Sequence, residues 1–443
     1  MSSAVSDQVD TQEHRNAALL SATRYLGPEV RSAVLPLHVD VRSQGRLEKD
    51  QLLALEALQV EAATTSIRTL SSLAKLNEVD HLGGGLELIP PLLLTLAVTD
   101  FERIEYTIEH AHTSVGYYAV LAAMGYIEAP AVTDGFRRGL DIPGHVSWLP
   151  GGTQLNGGRL GVMIPVAVGQ ALGKRAKYGD GVWIVTHCGD AGWISGQALN
   201  GFNAADVHGA PVTFVMHRNG IQLSGSTRSI MDKDPRSVIA SLGVEVLEIP
   251  SLHDIEALYT AYRQGYELAQ TGRPSMIYPV GYRSDDGQVS TLKSFGVGYG
   301  IGDEMDTFAA ANDVSPDTEV WVPGSLMSFR DVEAMLECLF LVNQLPGGKG
   351  HHDGHMKGRD CDQVLANPML AVSAPQQRAL EALRARPPRT VTTVARPAPG
   401  SENLILPAAV VGAVELPQPG TSESPRSGSE AGYAALAKTF SDK

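Results

Sequence analysis

Short apolar runs alternate with amphipathic segments through the middle of the chain. Residues 182–187 (VWIVTH) are rich in β-branched side chains and predict a buried parallel strand, and residues 211–217 (PVTFVMH) predict a second. Between them, residues 192–207 carry alanine and leucine at helical spacing. Further strands are predicted at 244–248 and 275–281. This alternation predicts an α/β fold, a three-layer parallel sheet with helices on both faces.

Helical periodicity marks the segments around these strands. Residues 48–78 place apolar side chains three or four positions apart and predict one long helix. Residues 254–268 predict another helix, capped at its start by Ser251 or Asp254. The apolar run at 86–98 contains a glutamate and two prolines. Because a membrane span needs roughly 20 apolar residues, this run predicts a buried helical region instead.

Composition narrows the class of protein. The 443 residues are 43% hydrophobic, which allows a sizeable core, and the formal net charge of −14 argues against a nucleic-acid partner. The N-terminus is polar and acidic, which is not typical of a signal peptide, and no basic tail favours a membrane surface. The three cysteines show no pairing pattern, which is typical of a reducing compartment. A cytoplasmic protein is therefore predicted.

Two polar residues occupy the ends of the two central strands. Gly189 and Asp190 follow the first strand, and Asn219 and Gly220 end the second as a turn. Ligands bind at the carboxyl edge of an open parallel sheet, where both ends are expected. A carboxylate and an amide oxygen, completed by phosphate oxygens, suit Mg²⁺ or Ca²⁺. The spacing therefore predicts a divalent metal held on a diphosphate.

At these residues the chain resembles the transketolase family of thiamine diphosphate-dependent enzymes. The family's Gly-Asp-Gly followed by Asn reads here as GDA and RN, with Ala191 in the third position. The resemblance implies thiamine diphosphate and Mg²⁺ as cofactors, and the thiamine diphosphate-binding fold of a PP-type domain. It implies Asp190, Asn219 and the backbone carbonyl of Ile221 as metal ligands, with Gly189 and Ala191 beside the diphosphate.

Four histidines continue the resemblance in chain order. They stand in the segments DHLGGG, EHAHTS, PGH and HHDGH, and are His81, His112, His145 and His352. In the family the matching side chains touch the cofactor diphosphate, the thiazolium region and the sugar hydroxyls. Imidazole suits this work because it donates or accepts a proton near neutral pH. The resemblance implies all four as catalytic residues, and His112 and His352 as cofactor ligands as well.

A glycine-rich turn gives a further match. Residues 157–161 (GGRLG) resemble the family's Gly-Pro-Leu-Gly segment, with Arg159 where proline is usual. Glycines let the backbone approach a ligand closely, and the following helix can direct its N-terminus at an anion. The resemblance implies contacts from Gly158 and Leu160 to the aminopyrimidine ring. Ser195 stands where the family often has the glutamate that links the two active sites.

Three other histidines have no counterpart in these motifs and are interpreted as structural: His187, His208 and His217. His187 lies beside Cys188 and close to Asp190, but no CxxC or HxxxH spacing supports a zinc site.

Composition also divides the chain into segments. We expect a polar tail and short helix at 1–45, a thiamine diphosphate-binding domain at 46–375 with an insertion at about 285–345, a Pro/Ala/Ser-rich linker at 376–430, and a helix resembling the start of a pyrimidine-binding domain at 431–443. The insertion, with a helix predicted at 329–343, could reshape the substrate channel, contact a partner or be an inert elaboration. The family's glutamate against the pyrimidine lies in the pyrimidine-binding domain. One half of a split enzyme, or a fragment of a longer one, is therefore expected.

The resemblance implies the diphosphate-binding subunit of a transketolase-like enzyme, which transfers a two-carbon ketol unit from a ketose or ketose phosphate to an acceptor. Its partner would be a pyrimidine-domain subunit, in a heterotetramer or a homodimer-based assembly. Two alternatives stay open. One is an E1-type 2-oxo acid decarboxylating component that acylates a lipoyl or carrier protein. The other is a non-catalytic scaffold that keeps the fold.

Overall fold

A computed structural model describes the chain over residues 29–74, 83–138, 142–153, 157–189, 191–218, 221–222, 225–226, 231, 233–280, 282–283, 289–290, 319–322, 325–328 and 370–394. Residues 30–393 belong to one compact unit, whose core is a parallel sheet and the helices that cover it.

The strands extend from one end of this unit to the other. In chain order they are β1 (Glu29–Val34), β2 (Ile104–Ile108), β3 (Trp183–Gly189), β4 (Val212–His217), β5 (Ile221–Gln222), β6 (Gly225–Ser226), β7 (Glu245–Ile249), β8 (Ser275–Pro279), β9 (Tyr282–Arg283), β10 (Val289–Ser290), β11 (Glu319–Val322), β12 (Ser325–Ser328) and β13 (Arg389–Val394). The pairs β5–β6, β9–β10 and β11–β12 are short antiparallel sheets, and β1 pairs with β13.

The helices separate most of the longer strands. They are α1 (Lys49–Ala74), α2 (Gly83–Val98), α3 (Ser114–Ala123), α4 (Ala129–Gly135), α5 (Met163–Tyr178), α6 (Gly196–Val207), α7 (Pro235–Ser241), α8 (Ile255–Gln270) and α9 (Ala374–Arg384). Asp254 caps α8, since its Oδ1 accepts the Ala257 N–H at 2.9 Å, as one of the two predicted caps. Within the described residues, no helix combines the length and the apolar character needed to cross a bilayer.

Five strands form the central sheet, in the order β2-β3-β4-β8-β7, and every neighbouring pair is parallel. All residues of β3 and β4 are buried, as expected for central strands covered on both faces. In the register, Ile108 lies opposite His187, and Gly189 lies opposite His217. The carboxyl ends of β2, β3 and β4 therefore lie along one edge of the sheet.

Alternate strand residues point into two separate cores. Val185, Val215 and Ile277 pack with apolar residues of α1, α2, α3 and α8 on one face. Ile184 and Phe214 pack with residues of α5, α6 and α7 on the other face. Burial of each such side chain stabilises the fold by about 1.5 to 3 kcal/mol. The predicted three-layer fold, with helices on both faces of a parallel sheet, is confirmed.

The predicted strands at 182–187, 211–217, 244–248 and 275–281 are confirmed as β3, β4, β7 and β8, and the long helix at 48–78 as α1. Strand β2 escaped prediction. Its five residues (IEYTI) contain a glutamate, so the apolar run is too short to stand out.

The ends of the compact unit differ from the segments expected from composition. Helix α9 lies in the stretch expected as a linker, yet it packs on α1: Gln376 Nε2 donates to Glu56 at 3.0 Å, and Arg384 pairs with Glu61 at 2.6 Å. Proline and alanine at 374–385 thus belong to an ordered helix, with a Ser373 capping box that starts it.

The N-terminal segment differs in the same way. Strand β1 and the buried side chains of Leu37, Val39 and Val41 belong to the core, in a stretch expected as tail and helix. Residues 1–28, the predicted linker beyond 394, the predicted helix at 431–443 and most of the predicted insertion, including its helix at 329–343, lie outside the described residues.

Candidate active site

Three connecting segments meet at the carboxyl edge of β2, β3 and β4. They are the β2 loop (109–113), the glycine loop (157–161) and the β3 turn, which begins at Gly189 and runs to Ser195. The Gly157 N–H donates to the Ile108 carbonyl at 2.9 Å, and the Ala111 N–H donates to the Gly157 carbonyl at 3.3 Å. The edge predicted to bind a ligand is therefore built from segments that contact one another.

The predicted metal ligands belong to the chain directly after β3 and β4. Asp190 and Asn219 lie outside the described residues, and Ile221 opens the β5–β6 hairpin. Of the residues predicted beside the diphosphate, Gly189 is buried against His110, where a Cβ would come within 3.3 Å of the His110 Cβ. Ala191 follows in the β3 turn. The metal site itself remains a prediction.

The structure places His112 and His145 on adjacent segments. His112 lies in a short 3₁₀ turn, whose Ala111 carbonyl accepts the Val146 N–H at 2.9 Å. The Tyr118 hydroxyl donates to the His145 carbonyl at 2.8 Å. These two bonds hold the segment that carries His145 beside the segment that carries His112. His81 and His352 lie outside the described residues.

Both described histidines are suited to exchange protons as neutral rings. Each reaches solvent. The surrounding protein desolvates His112 and lowers its pKa below the ordinary value, and the nearby His145 ring lowers it further. Desolvation and the charge of Arg137 lower the pKa of His145 as well. Near pH 7 both rings therefore have a lone pair and an N–H to offer.

The glycine loop leaves open space beside its backbone. A Cβ at Gly158 would meet no atom within 4 Å. Leu160 is 40% exposed, one of two large apolar side chains of the described part of the chain that protrude into water. Such a side chain at the edge of a cleft is available to cover an apolar ring. Gly161 closes the loop with φ of +84°, which favours glycine.

Glu109 was not singled out by the sequence, yet its carboxylate lies at the centre of this edge. Its Oε1 accepts the Gly161 N–H, and its Oε2 accepts the Gly189 N–H at 3.1 Å. Burial raises the pKa of Glu109 to about 7, although the two N–H bonds oppose the rise. Glu109 opens the EHAHTS segment, in which the resemblance drew attention to His112 alone.

Two histidines interpreted as structural form a buried hydrogen-bonded pair under the edge. His187 Nδ1 lies 3.0 Å from His217 Nε2, and His187 Nε2 lies 3.1 Å from Thr95 Oγ1. Thr95 Oγ1 also donates to the Pro91 carbonyl at 2.7 Å. The Tyr262 hydroxyl lies 2.8 Å from the same Thr95 oxygen. When the Thr95 proton is used in the bond to Pro91, His187 Nε2–H donates to Thr95, and His217 Nε2–H donates to His187.

This proton order leaves the outer face of the pair without partners. His217 Nδ1 then carries a lone pair, and no described atom bonds to it. The His110 ring is tilted against the His217 ring with centroids 4.5 Å apart, and neither buried His110 nitrogen has a side-chain hydrogen-bond partner among the described residues. Buried polar atoms are normally hydrogen-bonded. These three nitrogens therefore fit an edge that is completed by a polar ligand.

Comparison with known proteins finds sequences similar to the segment that builds this edge. Residues 153–290, which contain the glycine loop and the β3 turn, match the family described as the dehydrogenase E1 component. The chain is 32% identical over 136 residues to one subunit of the apulose-4-phosphate transketolase of Actinobacillus succinogenes. This part of the chain is therefore similar in sequence to E1 components and to a transketolase subunit. The alignment covers 30% of this chain and 49% of that relative, so the chain spans about half the length of the curated relative it matches.

Solved transketolases are also similar to the chain. Transketolase from Campylobacter jejuni is 25% identical, with a TM-score of 0.44, over 50% of this chain and 37% of that one. Transketolase from Leishmania mexicana is 20% identical, with a TM-score of 0.42, over 86% of this chain and 54% of that one. The similarity rests on the two sequence matches, and transketolases and E1 components both depend on thiamine diphosphate.

Proposed function

We propose that the chain is the diphosphate-binding subunit of a transketolase-type enzyme that transfers a two-carbon ketol unit from a ketose or ketose phosphate to an acceptor. The observation that carries the proposal is the convergence of the glycine loop and the β3 turn on one sheet edge. Both lie within the segment, 153–290, that matches the family. His112 and His145 adjoin the same edge.

The described residues fit thiamine diphosphate. The open backbone at Gly158 and the protruding Leu160 suit an aromatic ring, and the partnerless nitrogens of His110 and His217 suit a polar ligand. Asp190, Asn219 and the Ile221 carbonyl would hold Mg²⁺ or Ca²⁺ on the diphosphate, because hard cations take oxygen ligands. When bound, the cofactor supplies a carbanion that adds to a carbonyl and stabilises the resulting negative charge.

The chain's own residues bind the substrate and move protons. His112 and His145, as neutral imidazoles, can donate to or accept from the hydroxyl groups of a ketose beside its carbonyl. His81 and His352 complete the proposed set. Glu109 holds the backbone of the edge, and Leu160 excludes water from the ring that it covers.

A partner subunit is part of the proposal. The relative from Actinobacillus succinogenes is named as one subunit of a transketolase, and the alignment with this chain covers 49% of it. We infer that a pyrimidine-domain subunit supplies the glutamate that the cofactor needs. A heterotetramer, or an assembly based on a homodimer, would follow. The negative charge of the chain does not oppose a sugar phosphate if the site itself is locally basic.

A second function is favoured by the family description itself. An E1-type component would decarboxylate a 2-oxo acid and acylate a lipoyl or carrier protein, and residues 153–290 match that family. The two neighbouring histidines favour the ketose reaction, since a polyhydroxylated substrate offers more groups for them to bind. Apulose 4-phosphate, from the relative's name, is one donor to test.

The test is to isolate the chain from its native cells with whatever it binds, and to assay the complex. A stoichiometric partner with a pyrimidine-domain sequence, and cleavage of xylulose 5-phosphate or apulose 4-phosphate, is the expected result. Pyruvate decarboxylation in the same preparation would favour the E1 function. A chain recovered alone, inactive and unable to bind thiamine diphosphate would contradict both and favour a scaffold.

A further inference from the structure

The Glu109 carboxylate lies between two loops and bonds to the backbone of both. Oε1 accepts the Gly161 N–H from the glycine loop, and Oε2 accepts the Gly189 N–H at the start of the β3 turn, 3.1 Å away. The side chain is fully buried. These two loops are the ones proposed to face the pyrimidine and the diphosphate, the two ends of the cofactor. A single side chain therefore connects both parts of the site.

The glycines around Glu109 have no space for a side chain of their own. A Cβ at Gly192, in the β3 turn, would overlap the Glu109 carboxylate, and a Cβ at Gly157 would overlap the Glu109 backbone carbonyl. A Cβ at Gly161 would overlap the Ser195 hydroxyl, which caps α6. The glycine loop and the β3 turn thus close around the carboxylate and leave no space for larger side chains between them.

Burying a carboxylate without a cation is costly, because its charge loses water. Among the described residues, the hydrogen bonds to Glu109 come from the two glycine N–H groups. Glu105, on the same strand, binds Lys174 Nζ at 3.0 Å. The cost at Glu109 is thus offset by bonds to backbone alone, at the edge where ligands bind.

We propose that Glu109 is a positioning residue that ties the glycine loop to the β3 turn and so sets the spacing between the pyrimidine side and the diphosphate side of the cofactor site. The proposal rests on the proposed function. Glu109 itself touches neither substrate nor cofactor in this account. It acts through the two backbone segments that its oxygens hold.

A carboxylate suits this role better than its isosteric amide. Two oxygens can accept two N–H groups that arrive from different directions. In Glu109→Gln, one oxygen still accepts, but the new NH₂ faces the second N–H group. One of the two loops is then released while the volume of the side chain is preserved. Glu105→Gln is the matched control, since it changes a half-buried carboxylate of β2 that is bound by side chains of α5.

The first readout needs no cofactor. Hydrogen–deuterium exchange of the full chain is followed in peptides that cover 157–163 and 187–193. We expect Glu109→Gln to raise the exchange rate of the Gly161 or the Gly189 amide by about 10-fold, the equivalent of one lost hydrogen bond to a charged group. Glu105→Gln should leave both peptides unchanged.

The second readout is the affinity for thiamine diphosphate with Mg²⁺, measured by calorimetry at pH 8. We expect Glu109→Gln to weaken binding about 10-fold, while its far-ultraviolet circular dichroism and its melting temperature at neutral pH stay near the wild-type values. A merely structural role would lower the melting temperature and leave the affinity of the folded protein unchanged. Glu105→Gln should bind like the wild type.

The outcomes separate the two proposals. If the wild type binds the cofactor, and Glu109→Gln matches it in affinity and in exchange, the positioning role is overturned and the proposed function stands. If the wild type does not bind the cofactor, the proposed function fails, and the positioning role for a cofactor fails with it. Faster exchange in Glu109→Gln would then still show that Glu109 ties the loops.

Discussion

The carboxylates at the two ends of strand β2 are both largely removed from water, but they are bound by different groups. Glu105, near the amino end, is paired with Lys174 Nζ at 3.0 Å and Gln170 Nε2 at 2.8 Å, both from α5. Glu109, just past the carboxyl end, is bonded to the Gly161 and Gly189 backbones. Burial raises the pKa of both carboxyls, but at Glu105 the Lys174 ammonium opposes the rise. One carboxylate is held by side chains and the other by the main chain.

This difference separates a stabilising edge from a functional one. A long side chain adapts to changes around it, so the amino edge can vary without moving the backbone. Arg103 makes another long side-chain contact at this edge, since its guanidinium donates to the Tyr178 carbonyl at 2.8 Å. At the carboxyl edge, glycines and buried polar rings leave little room for adjustment. We expect substitutions at the carboxyl edge to have specific effects, and their counterparts at the amino edge to be mild.

The largest contrast should appear in the pH dependence of the Glu109 variant. The folded protein raises the pKa of Glu109 from 4.5 to about 7, so this group stabilises the fold below pH 4.5, and the contribution is lost as the pH rises through 7. The full difference is about 3 kcal/mol. Glu109→Gln lacks this dependence, so its stability relative to the wild type should rise by about 3 kcal/mol from pH 4.5 to pH 8.

Urea unfolding at several pH values measures this difference. Glu105→Gln should show a smaller change, because Lys174 already favours the charged form of Glu105. Parallel curves for Glu109→Gln and the wild type would mean that the carboxyl is solvated, and the comparison between the two ends of β2 would lose its basis.

A smaller and opposite pH effect should come from the buried histidines of the same edge. Burial lowers the pKa of His187 from 6.5 to about 3. The stability that this neutral ring contributes is present above pH 6.5 and is lost as the pH falls toward 3, by about 2 kcal/mol at pH 5. His187→Phe should therefore lose less stability than the wild type between pH 7.5 and pH 5.

At pH 7.5 His187→Phe should itself be less stable by about 1 to 2 kcal/mol, since His217 loses its partner. The exposed His208→Gln variant serves as the control and should follow the wild type at both pH values. A pH dependence of His187→Phe identical to the wild type would show that His187 is not the neutral, buried ring described here.

The smallest effect should separate two glycines of the β3 turn and α6. Gly192→Ala places a methyl group against the Glu109 carboxylate and should destabilise the fold by about 1.5 kcal/mol. Gly196→Ala, at the start of α6, meets no atom within 4 Å and should be neutral or slightly stabilising. Combining Gly192→Ala with Glu109→Ala should recover part of the loss. Additive losses in this double-mutant cycle would argue against the packing of Glu109 into the space beside Gly192.

The sequence alone predicted those strands whose composition is decided by burial on both faces. Residues 182–187 and 211–217 are mostly apolar because both faces of a central parallel strand are covered, and this made β3 and β4 predictable together with the edge at which they end. Strand β2 is buried except at Glu105, which interrupts its apolar run, and the partner of Glu105, Lys174, is remote in the chain. Glu105 is stabilised by a tertiary ion pair, which the local sequence does not reveal.

The same limit explains why the sequence did not predict the roles of Glu109, His187 and His217. A motif identifies residues that a ligand touches, and on that basis Asp190 and His112 are predicted as site residues. Residues that support those segments act through tertiary contacts, such as that of His187 with Thr95 of α2. Contacts of this kind cannot be identified from the local sequence. Helix α9 was missed for another reason, because proline and alanine suggest a linker unless a capping box such as that of Ser373 is noticed.

The most direct test of the central claim compares two aspartates at the two ends of β3. Thiamine diphosphate is titrated into the purified chain by calorimetry, with and without Mg²⁺, for the wild type, Asp190→Ala and the control Asp180→Ala, which alters the exposed turn that enters the strand. We predict one site that requires the metal, unchanged in Asp180→Ala and weakened at least about 100-fold in Asp190→Ala without loss of the fold. Equal binding by the wild type and Asp190→Ala would contradict a metal–diphosphate site at this edge.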